Sequence, residues 1–231
     1  MPRAQDIRAT PTDGRRRRGD ATRSRLVEAA AAAFATHGFH GTSYGDLIAA
    51  TRLSKGACYH HFPSKQALAR AVLDVKQSQV IAASMAGLDA LPSPLATFFA
   101  ALRNRSRAFV RDRSLRSLPR LAADLAQDSR MSRVVRQNHR AAIAALAGML
   151  RAAEDARELR PGTNVETVAR IAFTALVGLD ELSERETGGA DREQRTEDLI
   201  AVLQAALEPL DPAVRPSRRR RAAHAPQPRT R

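Results

Sequence analysis

The chain has 231 residues, 38 Lys and Arg against 24 Asp and Glu, a formal net charge of +14, one cysteine and no tryptophan. That length suits one small domain plus a larger helical one, and a single cysteine excludes an intrachain disulfide and fits a reducing cytoplasm. The longest purely apolar run, residues 29–35, falls far short of the roughly 20 residues a membrane helix needs, so a soluble protein without a membrane partner is expected.

Most of the charge lies at the two ends. Residues 1–25 hold eight Arg against three Asp, and residues 212–231 hold seven Arg and no acid, which leaves about +2 for the body. Polycationic termini suit a polyanion, and the phosphate backbone of double-stranded DNA is the commonest such partner. Residues 1–20 mix Pro, Gly, Thr and Arg without periodicity and predict a disordered basic arm; residues 212–231 predict a disordered Arg-rich tail.

Helical periodicity starts near Ala21, with Leu26, Ala30, Ala33 and Phe34 on one stripe and a stop at Gly38. Ser43, followed three residues on by Asp46, caps a second helix whose buried side is Leu47 and Ile48. A third opens at Ser54. Its Cys58 and Phe62 face inward, and Lys55 with Tyr59, and Gly56 with His60, face outward. Pro63 ends it after about two turns, a length suited to a probe inserted into a groove. Ser64 caps a fourth helix, carrying Leu68, Val72, Val75, Val80 and Ile81 towards Gly87 and long enough to serve as a lever between two domains.

After the break at Leu91-Pro92-Ser93-Pro94, helical spacing recurs near 95–111, 114–127, 130–156, 163–186 and 192–209, with Thr163 or Asn164 as a cap and Gly188-Gly189 opening the last turn. No sustained β-branched alternation and no repeat is present. The expected fold is all-α: a helix-turn-helix domain over 21–67, then a helical domain over 68–211.

Thr42-Ser43, Ser54-Lys55-Gly56, Tyr59, His61-Phe62 and Ser64-Lys65 together resemble the signature of TetR-family repressors, over roughly residues 22–80. The pattern departs at Arg52, where that family usually has Gly, and at Ala57-Cys58. The resemblance implies a three-helix DNA-binding head, a helical ligand-binding and dimerisation domain, and no catalytic residue or cofactor. It places Tyr59, His61, Lys65, Thr42 and Ser43 at backbone-contacting positions, with Ser54 in the same DNA-facing set. From the residues themselves, Lys55 is the one strong base reader between Ser54 and Phe62, donating to guanine O6 and N7. Gly56 and Ala57 permit close approach, and His60 meets phosphate with its neighbours. The run from Lys55 through Val72 looks most like the γ-butyrolactone receptors within that family, although the Trp they stack over the lactone has no counterpart here.

A repressor that must release DNA needs a ligand with unequal affinity for two states. Phe98, Phe109, Met131, His139 and Phe173 are the candidate lining of its pocket, with Phe99 and Met149 as further bulky groups. Val165, Val168, Ala169, Ala172, Leu176 and Leu179 on one late helix, and Leu199, Val202, Leu203, Ala206 and Leu210 on the next, give broad apolar faces for a homodimer interface. Two rivals stay open. A zinc or thiol site could draw on His37, His40, Cys58, His60 and His61, although the helix phase makes these diverge and no oxyanion donor accompanies the thiol. A constitutive DNA-coating protein could act through its Arg tails alone. Glu181, Glu184 and Glu186 are expected at a solvated helix end.

Overall fold

The structure, a computed structural model, describes residues 11–127 and 129–209, with only the backbone considered at 11–18, 129 and 130. It is all-α. Helices run α1 Pro11–His37, α2 Tyr44–Thr51, α3 Lys55–His61, α4 Lys65–Met85, α5 Pro94–Arg111, α6 Ser117–Ala126, α7 Ser129–Asp155, α8 Val165–Thr187 and α9 Arg192–Leu207, with single 3-10 turns at Leu88–Ala90 and Arg113–Arg116. Among the described residues no helix is long and apolar enough to cross a membrane.

The first helix corrects the expected arm. It begins at Pro11, ten residues before Ala21, so residues 11–20 of the presumed 1–20 arm are helical. Proline suits the first turn of a helix, and arginine has high helix propensity, which outweighs Gly14 and Gly19. Residues 1–10 of that arm, the 212–231 tail and Leu210 lie outside the described residues.

Two hydrophobic cores share the molecule. One gathers Leu26, Ala30 and Phe34 of α1, Leu47 of α2, Cys58 of α3 and Leu68 and Val72 of α4, and continues into Phe109, Leu115, Leu121, Leu125 and Met131. The other joins Phe98, Phe99 and Leu102 of α5 with Leu150 of α7, Leu176 of α8 and Ile200 and Leu203 of α9. The head therefore stands on α6 and the start of α7 as well as on α4. Ile81 departs from its expected buried stripe: it is 49% exposed, facing a cleft rather than the core.

Serine caps set the helix starts as local chemistry requires. The hydroxyls of Ser43, Ser54 and Ser64 accept from the backbone N–H of Asp46, Ala57 and Ala67, and Asp46 returns the bond to the Ser43 N–H, closing a capping box. The Ser43 hydroxyl first, and then the Ser43 N–H, hold the Asp46 carboxyl below its ordinary range. On α8 the cap is Asn164; the Thr163 hydroxyl instead donates to the Arg160 carbonyl.

The turn between α2 and α3 contains Arg52 at φ 55°, ψ 25°, left-handed backbone that a Cβ disfavours by about 1–2 kcal/mol. Arg25 of α1 donates to the Thr51 carbonyl beside it and helps hold the turn. Arg52→Gly should stabilise the protein by about 1 kcal/mol and raise the melting temperature by about 2–4 °C. An unchanged or lowered midpoint in a calorimetric scan would contradict this. At Gly38, φ 73°, the left-handed backbone favours glycine, and the Arg120 guanidinium lies close by.

Asp191 closes the α8–α9 turn, accepting from Ser183 Oγ, Thr187 Oγ1 and Arg195 Nε at 2.5, 2.7 and 2.7 Å. The Ser183 bond, with those from Thr187 and Arg195, holds its carboxyl at about 2, below the ordinary 3.8. A folded-state value below the unfolded one means the stabilisation is full above about pH 4 and is lost as pH falls through about 2. Asp191→Asn should lower the melting temperature at pH 7 and leave it unchanged near pH 2, which paired scans would check.

Candidate nucleic-acid interface and effector cleft

The short α3 presents Ser54, Lys55, Gly56, Tyr59 and His60 to solvent, with Ala57 and His61 partly covered. Lys55 sits at its first turn and has no ion pair or hydrogen bond to the protein among the described residues. The Ser54 hydroxyl accepts a bond within its cap and keeps its own O–H to donate outward, as a phosphate contact requires, whereas the Ser43 hydroxyl is also bonded to the Asp46 carboxylate. Cys58 is fully buried and Phe62 5% exposed, so the inward face follows the expected phase.

Two of the expected DNA contacts have partners inside the protein. Thr42 is 2% exposed, and its hydroxyl donates to the Gly38 carbonyl at 2.8 Å, so its side chain locks the α1–α2 turn. Lys65 Nζ donates to the carbonyls of Phe39 and Thr42, both at 2.9 Å, and lies 4.3 Å from the Phe39 ring centroid. With two of three N–H donors engaged, Lys65 chiefly ties the start of α4 to that turn.

Tyr44 is a functional residue the sequence left unmarked. Its hydroxyl donates to the carbonyls of Cys58 and Phe62, and its ring meets Tyr59 edge-on at 4.9 Å, so it fixes α3 against α2. Burial raises its phenol above the ordinary 10, with Cys58 and Tyr59 adding to the effect. Arg23, exposed on α1, stacks over Phe62 at 5.3 Å and adds a cation beside the reading helix. The zinc constellation does not converge: Cys58 is buried and His60 exposed, and among the described residues no group of three or more His, Cys, Asp or Glu could hold a metal ion.

Above the head, α4, α5, α6, α7 and α8 enclose a cleft of about 320 Å³. Its wall is chiefly apolar, with Leu73 and Val80 from α4, Leu102 and Phe109 from α5, Pro119 and Ala122 from α6, and Phe173 and Leu176 from α8. His139 lies against Phe173 at 5.2 Å, and burial pushes its imidazole below the ordinary 6.5, so it is neutral at pH 7 with one donor and one acceptor.

Of the expected lining, Phe109, His139 and Phe173 reach the cleft, whereas Phe98 and Met131 do not. Phe98 is fully buried in the core between α5, α7, α8 and α9, and Met131 is buried on the head side. Both sit on helices that touch the cleft, but with the wrong phase.

The acidic end of α8 is also more than solvated. Glu181 pairs with Arg185, Glu186 with Arg195, and Glu184 with the buried Arg192 at 3.1 Å. Of the expected apolar faces of α8 and α9, Val165, Ala169, Ala172, Leu176 and Leu203 are buried in the chain's own core, whereas Val202 is 67% exposed. Exposure falls also on Ile171 at 54% and Leu182 at 46%, which the expected set did not include. Ile171, Ala175, Gly178 and Leu182 recur at i, i+4, i+7 and i+11, a single stripe down α8.

Residues 26–72 match the family model for bacterial regulatory proteins of the tetR family. The HTH-type transcriptional regulator UidR of Escherichia coli is 38% identical over 61 residues, 26% of this chain and 31% of UidR. The A-factor receptor protein of Streptomyces griseus is 36% identical over 55 residues, 24% of this chain and 20% of the receptor. The match thus spans less than a third of either relative. Likeness to the crystal structure of tylp, a TetR regulator from Streptomyces fradiae, runs further, with 29% identity and a TM-score of 0.69 over 85% of this chain and 90% of that one.

Proposed function

We infer that this chain, which belongs to the TetR family of DNA-binding transcriptional regulators, a family of regulators and not of enzymes, works in the cytoplasm as a homodimeric repressor. It occupies an inverted-repeat operator and leaves it when a small, largely apolar effector enters the cleft. The observation that carries this reading is the double role of α6. One face, with Pro119 and Ala122, lines the cleft, and from the same helix the Asp124 carboxylate accepts from the Phe39 N–H at 2.9 Å while Arg120 lies against Gly38.

Both α4 and α6 therefore join the effector wall to the reading head. On α4, Leu73 and Val80 meet the cleft, and Lys76 between them bonds Glu28 of α1. A second helix, α6, thus joins the α4 lever expected from the sequence. Rotating two heads relative to each other alters their separation, and operator half-sites recur about every 34 Å, so a small change is costly. The resemblance to γ-butyrolactone receptors extends to the A-factor receptor match, while the cleft holds no tryptophan, which favours a differently shaped metabolite.

A second copy of the chain fits the exposed stripe on α8 and α9, in a four-helix contact. Ile171→Glu combined with Val202→Glu should convert a dimer to a monomer in sedimentation equilibrium and abolish cooperative operator binding. A monomeric parent, or a double variant that still dimerises, would contradict the dimer. The effector reading is tested by linkage: a ligand found by screening should lose affinity in the presence of saturating operator by the same factor by which it weakens DNA binding. Equal ligand affinities with and without operator would contradict it.

A further inference from the structure

Behind the cleft lies an unbalanced charge cluster, buried but for Glu184, which is 41% exposed. Asp180, 3% exposed, meets Arg105 at 2.5 Å and Arg192 at 3.3 Å; Glu184 meets Arg192 at 3.1 Å and Arg116 at 3.7 Å. Three guanidinium groups thus face two carboxylates. Arg105 and Arg192 both lie over the Phe109 ring, at 4.7 and 5.1 Å, and burial pushes Arg192 below its ordinary range, against the opposing effect of Asp180 and Glu184. Arg105 Nη1 and Arg192 Nε are buried and have no hydrogen-bond acceptor, and Arg192 Nη1 has only its 3.3 Å ion pair with Asp180. An excess buried cation with unpaired donors is costly unless an anion completes it.

Arg105 and Phe109 of this cluster also form part of the cleft wall. Glu181, the nearest acid on that wall, has its own partner in Arg185. Resting on the effector-cleft reading above, we propose that the ligand is an amphipathic carboxylic acid: its apolar body lies along Leu102, Phe173 and Leu176, and its carboxylate meets the guanidinium of Arg105. The planar guanidinium fork matches two carboxylate oxygens, and the added negative charge balances the third cation.

The test uses the full chain and three eight-carbon probes, octanoate, octanamide and octan-1-ol, displacing the neutral dye Nile red at pH 7.5. Octanoate should displace it at a concentration at least tenfold lower than octanamide. Arg105→Lys should keep that preference and Arg105→Gln should abolish it, with circular dichroism melts confirming that both variants fold. The comparison on the parent protein needs no variant. Equal displacement by all three probes, or a preference that survives Arg105→Gln unchanged, would overturn the carboxylate while leaving the apolar cleft in place. Failure of every probe to displace the dye would overturn both readings together.

Discussion

Lys55→Ala will weaken binding to the operator by about 1–3 kcal/mol, roughly 5- to 150-fold, and relax the preference at one guanine in each half-site. Lys55 is exposed at the start of α3, with no partner in the chain among the described residues, and the reading helix carries no Asn, Gln, Arg, Asp or Glu to take over base recognition. In the proposed reading the serine hydroxyls and Tyr59 set position on the backbone and do not distinguish bases. Loss of a phosphate contact would weaken all sequences alike, so the diagnostic readout is base preference, measured by competition between operator duplexes changed one base pair at a time. A Lys55→Ala variant that binds more weakly but discriminates as before would move Lys55 from base reader to backbone contact.

Glu28→Ala will destabilise the protein by about 2–3 kcal/mol, while Glu28→Ala combined with Lys76→Met will recover most of that loss. Lys76 is 1% exposed and both Glu28 carboxylate oxygens accept from its Nζ, at 2.8 and 2.6 Å. Removing the acid leaves an ammonium shut inside the α1–α4 contact, and that desolvated charge is the source of the cost. The 51% exposure of Glu28 brings the figure below that of a fully buried pair. Lys76→Met alone should cost within about 1 kcal/mol, because Glu28 then relaxes into water and methionine fills the volume. Denaturant unfolding of the four proteins gives the cycle directly. Equal losses for the two single substitutions would show that packing, not uncompensated charge, dominates at this contact.

What was legible in the chain is what short-range chemistry decides. Ser43, Ser54 and Ser64 cap helices through bonds to residues only three positions on, and Cys58 turns inward because helix phase puts it opposite Lys55 and Tyr59. The internal bonds of Lys65 gave no signal in the chain because they are tertiary: its Nζ reaches carbonyls 23 and 26 residues back. Phe98 and Phe173 look alike in sequence. Only the packing of α5 against α7, α8 and α9 sends Phe98 to the core and leaves Phe173 on the cleft. The same limit hid the exposed apolar stripe, since Ile171 and Leu182 differ from Ala172 and Leu176 by rotation about α8, and both faces are apolar. Asp124 gave no signal either, because its bond to Phe39 spans 85 residues.

The claim that the protein reads a two-fold DNA site through α3 is tested most directly by selecting random-sequence duplexes on the purified full chain and sequencing the survivors. Convergence is expected on an inverted repeat whose half-sites lie about one helical turn apart, each with one strongly preferred guanine that Lys55→Ala erases. Survivors without a shared motif, bound equally well by the Lys55→Ala variant, would contradict it and point to a sequence-indifferent binder acting through its basic termini.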